Sequence, residues 1–149
     1  MISCTEFIPA YSEGFKFLEE KAGHTGPEKF WSWLSRFYLS DTLDRLIAED
    51  GLEGCFKYWA HSLNEEAAEF KMTFNEIKGE FTVEMNKCPS KAMLIEMEHL
   101  APYHSYCAHC VALYRPVVEK YGYGYNEDRE ECGKAVCRLT ISVKKNTNL

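Results

Sequence analysis

The sequence has no run of apolar residues approaching the roughly 18 that a membrane-spanning helix requires, and no membrane partner is expected. Its first residues, Met-Ile-Ser-Cys-Thr-Glu-Phe, lack a basic segment followed by an apolar core, so no secretory leader is read there and a cytoplasmic location is expected. Basic residues are few: 17 lysines and arginines stand against 23 acids, a net charge of -6, and Lys144-Lys145 is the sole basic cluster. A nucleic-acid binder needs a basic footprint, so nucleic acid is excluded as a partner. Pro/Gly/Ser-rich linkers, internal repeats and low-complexity runs are also missing. The 149 residues are therefore read as a single domain, 1–149, helical over 1–70 and mixed α/β over 71–149. A small-molecule substrate remains as the expected partner, with assembly into a homo-oligomer left open.

Cysteine, by contrast, is abundant. Seven is an odd count, and in a reducing compartment the thiols are read as buried apolar residues, metal ligands or reactive groups rather than disulfides. Five of the seven fall between Cys88 and Cys137.

Helical spacing predicts a helix over Ala10–Ala22, with Phe15, Leu18 and Ala22 on one face and Gly23 as its stop. Pro27 fits the first position of a second helix capped by Thr25 or Gly26, whose apolar face is Phe30, Trp31, Leu34, Phe37 and Tyr38. Asp41 is read as the cap of a short helix with Leu43, Leu46 and Ile47 inward, and Asp50-Gly51 as a turn. A longer helix is expected over Glu53–Phe70, with Phe56, Trp59, Ala60, Leu63 and Ala67 on one side.

The period then drops to two. Phe81, Val83 and Met85 alternate with Thr82, Glu84 and Asn86 after Gly79, which predicts a hairpin of Lys71–Lys78 with Glu80–Lys87. Cys88-Pro89 ends that strand, and Ser90 is the expected cap of a helix reaching Glu98. Another helix is expected over Tyr103–Lys120. Cys137, Leu139, Ile141 and Val143 form the closing strand, with Glu130–Cys132 as its expected neighbour. Tyr121–Tyr125 is read as an aromatic loop. The fold class is α+β: helices on an antiparallel sheet of about four strands.

The chemistry concentrates in Tyr103-His-Ser-Tyr-Cys-Ala-His-Cys110. On a helix, His104 and Cys107 share a face, and an imidazole beside a thiol can take its proton. Cys107 also lies near the expected helix start, where the dipole favours a thiolate. Cys88 sits before another helix start. Cys107, Cys110 and His104 alternatively form part of a zinc or iron site; otherwise no cofactor is expected. Cys132-x4-Cys137 could supply a second ligand pair, but its spacing and its place beside a strand favour a structural reading, and Cys4 and Cys55 are given no role.

Taken in order, Gly79-Glu-Phe-Thr-Val-Glu-Met-Asn-Lys-Cys88-Pro89, Tyr106-Cys107 and Glu131-Cys132…Cys137-Arg-Leu-Thr-Ile resemble the L-2-amino-thiazoline-4-carboxylic acid hydrolase-like family of small bacterial and archaeal proteins. The likeness spans roughly Phe70 to Val143. It implies hydrolysis of a C–N or C–S bond in a cyclic amidine-like amino-acid derivative. It places Cys107 as the nucleophile, with His104 and Cys88 assisting, and Tyr106, Arg115 and Glu84 are the candidate substrate contacts. Where the family often carries an acid three positions after the helix cysteine, this chain has Cys110. The closing strands also look similar to vinyl-reductase-type small-molecule-binding domains, which implies ligand or metal binding without catalysis.

Overall fold

The hairpin read from the period-two segment is the start of the sheet. In the computed structural model, which describes residues 7–64 and 68–144, β1 (Glu69–Asn75) and β2 (Glu80–Lys87) pair antiparallel, with Phe74 opposite Phe81 and Met72 opposite Val83. Gly79 takes φ 58° in the turn, a backbone conformation that side chains disfavour. The closing strand β4 (Cys137–Val143) lies along the other edge of β2, placing Ile141 beside Phe81, Leu139 beside Val83 and Cys137 beside Met85.

The fourth strand is not the expected Glu130–Cys132. It is β3 (Tyr123–Asp128), formed from the segment read as an aromatic loop, and the sheet order is β1-β2-β4-β3. Tyr123, Tyr125 and Glu127 alternate along one side and Tyr125 is buried against Ile141, which makes the Gly-interrupted run a strand. Residues 132–134 form a single tight turn that returns the chain to β4.

Helices cover the sheet. α1 spans Phe7–Ala22 and ends at Gly23, whose φ is 65°. α2 spans Thr25–Trp33, with His24 at its cap position and Pro27 inside its first turn rather than first in the helix. Wide π-type turns follow at Leu34–Tyr38 and Ser40–Asp44, where the Leu39 N–H reaches the Leu34 carbonyl and the Asp44 N–H reaches that of Leu39. These five-residue rings break the 3.6-residue period. Phe37 and Tyr38 consequently swing outward, 56% and 66% exposed, while Leu39 and Leu43 fill the interior. Asp41 lies within the second wide turn, and Asp44 stands before α3 (Arg45–Asp50).

α4 (Leu52–Asn64) buries Cys55, Trp59 and Leu63 but stops short of the expected Phe70, which belongs to β1; Ala67 lies outside the described residues. α5 (Pro89–Glu96) begins with Cys88 at the cap position and proline first, so Ser90 is inside it. The last helix, α6, spans Ala108–Lys120 and carries Pro116 within it. Its expected first turn is instead a separate bend, closed by Tyr106 N–H to Tyr103 carbonyl and Ala108 N–H to Ser105 carbonyl bonds.

Two apolar clusters result. One joins Trp59, Phe81, Val83, Val118, Leu139 and Ile141 between sheet and helices. The other joins Ile8, Phe15, Trp31, Leu94, Tyr103 and Tyr106 around α1 and α2. Among the described residues no helix is long and apolar enough to cross a membrane.

Candidate functional site

Five cysteines from four separate segments meet where β2 ends, β4 begins and α5 and α6 start. Cys88 caps α5, Cys107 holds the cap position of α6, and Cys110 lies in its first turn. Cys132 opens the tight turn before β4 and Cys137 is the first residue of β4. The register explains the meeting: β4 slots beside β2, so Cys137 arrives opposite Met85, and the Cys88 N–H bonds the Ala135 carbonyl at 2.8 Å.

The Cys107 and Cys132 thiols are hydrogen-bonded to each other. Burial pushes the Cys107 thiol up to about 12, with Cys132 and Cys88 adding to the rise and the Lys91 ammonium opposing it. Burial pushes Cys137 to about 12 as well, reinforced by Cys88, Glu127 and Cys107. Cys110 is raised well above the ordinary thiol range, first by burial and then by Glu127, Cys88, Cys107 and Cys137. Low dielectric and like charges both oppose a thiolate here. Cys55 is buried in the core, apart from this group, and Cys4 lies outside the described residues.

Glu127 is the carboxylate of this region and was not singled out from the sequence. Its side chain is 7% exposed and accepts a 2.8 Å hydrogen bond from the Tyr125 hydroxyl. Burial raises its pKa, with Tyr125, Arg129 and Arg115 pulling it partway back. The signal was its place two residues after Tyr125 in a period-two run.

His104 is not brought to Cys107. The bend over residues 103–107 turns it outward, with Nε2 2.9 Å from Glu19 Oε2 and Nδ1 2.8 Å from Ser105 Oγ. Glu19 also lies 2.5 Å from His24 Nδ1 through its other oxygen. The imidazole that does approach a thiol is His109, whose Nε2 lies 3.6 Å from Cys110 Sγ. Its Nδ1 faces the Tyr106 carbonyl, which can only accept, so Nδ1 carries the proton and the Cys110 thiol donates to Nε2. Burial lowers the His109 pKa and keeps the ring neutral. Adjacency to Cys110 in sequence was the available signal.

Tyr106 is buried, its hydroxyl hydrogen-bonded to Ser90 and its pKa raised mainly by burial. Arg115 stacks 5.8 Å from the Tyr125 ring centre. Glu84 lies 3.8 Å from Arg138 and lines a cavity of about 370 Å³ with Cys137, Asp128, Glu130 and Glu131. That cavity touches the thiol cluster and carries four carboxylates against the single cation Arg138.

No family model, curated protein or solved structure matches the chain.

Proposed function

We propose that the chain binds a thiophilic metal ion, zinc or iron, through the thiols gathered at the end of the sheet. The observation that carries this reading is the convergence of Cys88, Cys107, Cys110, Cys132 and Cys137 from four separate segments around the Cys107–Cys132 hydrogen bond. Soft thiolate donors suit zinc and iron, and structural zinc takes four such ligands. Cys107 and Cys132 would hold the ion with Cys88 and Cys137, and Cys110 and Glu127 lie beside them. Among the described residues no three such groups stand ready-arranged around a metal position, so binding would draw the side chains together by rotation. A bound cation would supply the positive charge that lets these thiols lose their protons, which makes affinity rise with pH.

Elemental analysis of protein purified without chelator tests this. Stoichiometric zinc or iron is expected, lost when Cys107 and Cys132 are both changed to serine. Metal-free protein that also fails to take up added zinc overturns the reading.

A cysteine-dependent hydrolase is the second reading, favoured by Cys107 at the start of α6 with Lys91 nearby, both of which assist a thiolate. Cys107 Sγ would add to the amidine carbon, a ring bond to that carbon would break as its leaving nitrogen or sulfur gains a proton, and water would then add to the same carbon and expel the Cys107 thiol, leaving the new carbonyl on the product. Turnover of 2-amino-thiazoline-4-carboxylate that is abolished by Cys107→Ser, in protein holding no metal, supports this reading over the first.

A further inference from the structure

Among the described residues, nine large apolar side chains stand exposed, and six of them are aromatics between Phe7 and Tyr38. Exposed apolar surface is thus concentrated on α1, α2 and the π-type turn that follows. Three of the six lie on α1. There Phe7, Gly14 and Lys21 recur at every seventh residue, and Ala10, Tyr11, Phe17 and Leu18 fill the seam between them. That is the spacing of a helix face that meets another helix. Ile8, Ser12 and Phe15 are the α1 residues buried in the protein's own core, so the heptad seam is a second face, exposed or half-exposed along its length. A groove of about 310 Å³ runs along it, with Phe15 and Phe30 in its walls and no charged side chain in its lining. Tyr38, swung outward by the π-type turn, borders the next cavity together with Phe7 and Tyr11 and extends the apolar surface.

Gly14 is the midpoint of the seam. Glycine weakens a helix interior, and a β-carbon added here would meet nothing within 4 Å. No contact inside the chain calls for glycine at this position, whereas close approach of a second helix does.

The seam is also complementary to itself. When two α1 helices cross antiparallel on a dyad at Gly14, residues equally distant from it on opposite sides face each other. Ala10 of one copy receives Leu18 of the other, a small side chain under a large one. Tyr11 meets Phe17, ring to ring. Phe7 meets Lys21, whose ammonium already lies 5.4 Å over its own Phe17 ring. Lys21 is the one charge on the seam, so no like charges are opposed.

The area suits a dimer. Phe7, Tyr11, Phe17 and Tyr38 are 43% to 66% exposed. Aromatic side chains cover ~150–250 Å² each, so these four present roughly 400 Å². A standard interface takes about 800 Å² from each partner, somewhat more than half of it apolar. The four rings therefore supply most of the apolar share. An anionic membrane surface is a poorer occupant, because the chain carries a net charge of -6. We propose that the chain forms a symmetric dimer through antiparallel contact of its α1 helices, with Gly14 on the dyad and Tyr11 of each copy packed on Phe17 of the other.

Sedimentation velocity of the full chain tests this, with reductant and chelator present to exclude disulfide and metal bridges. A rise from the chain mass to twice that mass is expected between roughly 1 and 100 µM. Phe17→Lys and Tyr11→Glu should each weaken self-association by about a hundredfold, with far-UV circular dichroism unchanged because both positions are exposed. Mixed in equal amounts, the two variants should associate again. The new base then meets the new acid in one half of the dyad, while Phe17 keeps Tyr11 in the other. A parent chain that stays monomeric at about 100 µM overturns the proposal. So does a dimer that neither substitution weakens, or a mixture of folded variants that fails to associate. Should either variant unfold, Gly14→Gln decides alone, since it fits the free helix and not the crossing: association equal to the parent's overturns the proposal. Metal content is measured separately, so the dimer and the thiol site can each fail without the other.

Discussion

The Tyr125 hydroxyl donates a 2.8 Å hydrogen bond to the carboxylate of Glu127, two residues along the same strand, and both side chains lie near the half-buried Cys110. That bond offsets only part of the cost of burying Glu127, whose pKa stays raised. A carboxyl with a raised folded pKa contributes stability that is complete below the unfolded value and lost as pH rises through the folded one. Glu127→Gln keeps the acceptor for Tyr125 and removes the charge. Its melting temperature, measured with chelator present, is therefore expected to exceed that of the parent at neutral pH, by ~2–4 °C for each kcal/mol gained. The gain should vanish below pH 4.5, where the parent carboxyl is protonated. A gain that is the same at both pH values would show that the charge is not its source.

Thiol chemistry at Cys107 follows from its raised pKa. The thiolate is the nucleophile, so in chelator-treated protein the rate of Cys107 alkylation by iodoacetamide should climb steadily between pH 9 and pH 12 without an earlier plateau. Mass spectrometry of peptides after timed quenching reads this directly. Fast labelling at neutral pH would mean that a thiolate is already stabilised, and would strengthen the hydrolase reading.

Glu19 behaves in the opposite sense. Its hydrogen bond with His104, and that with His24, hold its carboxyl below the usual range. A depressed folded pKa contributes stability above the unfolded value and loses it as pH falls through the folded one. Glu19→Gln should therefore lower stability near neutrality and flatten the acid limb of the stability profile. Urea midpoints collected from pH 7 downward, compared between the two proteins, check this. Parallel profiles would remove the network from the account.

Close packing of α3 on α4 depends on Gly54, where an added β-carbon would run into the Leu46 carbonyl. Both partners are backbone and neither can step aside. Gly54→Ala should cost ~1–3 kcal/mol, seen as a lower guanidinium midpoint at unchanged slope.

The parts of this fold that were legible in the sequence are those governed by local period. Phe81, Val83 and Met85 announce β2, Leu139 and Ile141 announce β4, and Gly23 and Gly79 mark real reversals. The misreadings have particular causes. Tyr123-Gly-Tyr125 looked like a loop because its glycine and its inward Glu127 disguise an alternation that pairing with β4 completes. Phe37 and Tyr38 left the predicted face because the π-type turns change the residues per turn. His104 was placed beside Cys107 by assuming that the helix began at Tyr103, whereas Tyr103 spends its N–H on Ser12 and the helix starts at Ala108. Cys132 and Cys137 suggest a second ligand pair in the sequence, but their spacing and strand context argue for a structural role, since the insertion of β4 between β2 and β3 is what brings them to Cys107 and no linear spacing records that.

That insertion also sets a schedule. The chain emerges from the ribosome from its N-terminal end, and the strand that sits inside the sheet is the last of the four to be made. Until residues 137–143 arrive, β2 and β3 each present an open edge where β4 will lie, and open edges invite pairing with other chains. During that interval Cys88, Cys107 and Cys110 have already been synthesised but not yet covered. The nascent protein is thus most vulnerable to oxidation and aggregation between synthesis of β3 and synthesis of β4, and a slow codon or a stall in that stretch would lengthen the exposure more than one placed ahead of β2.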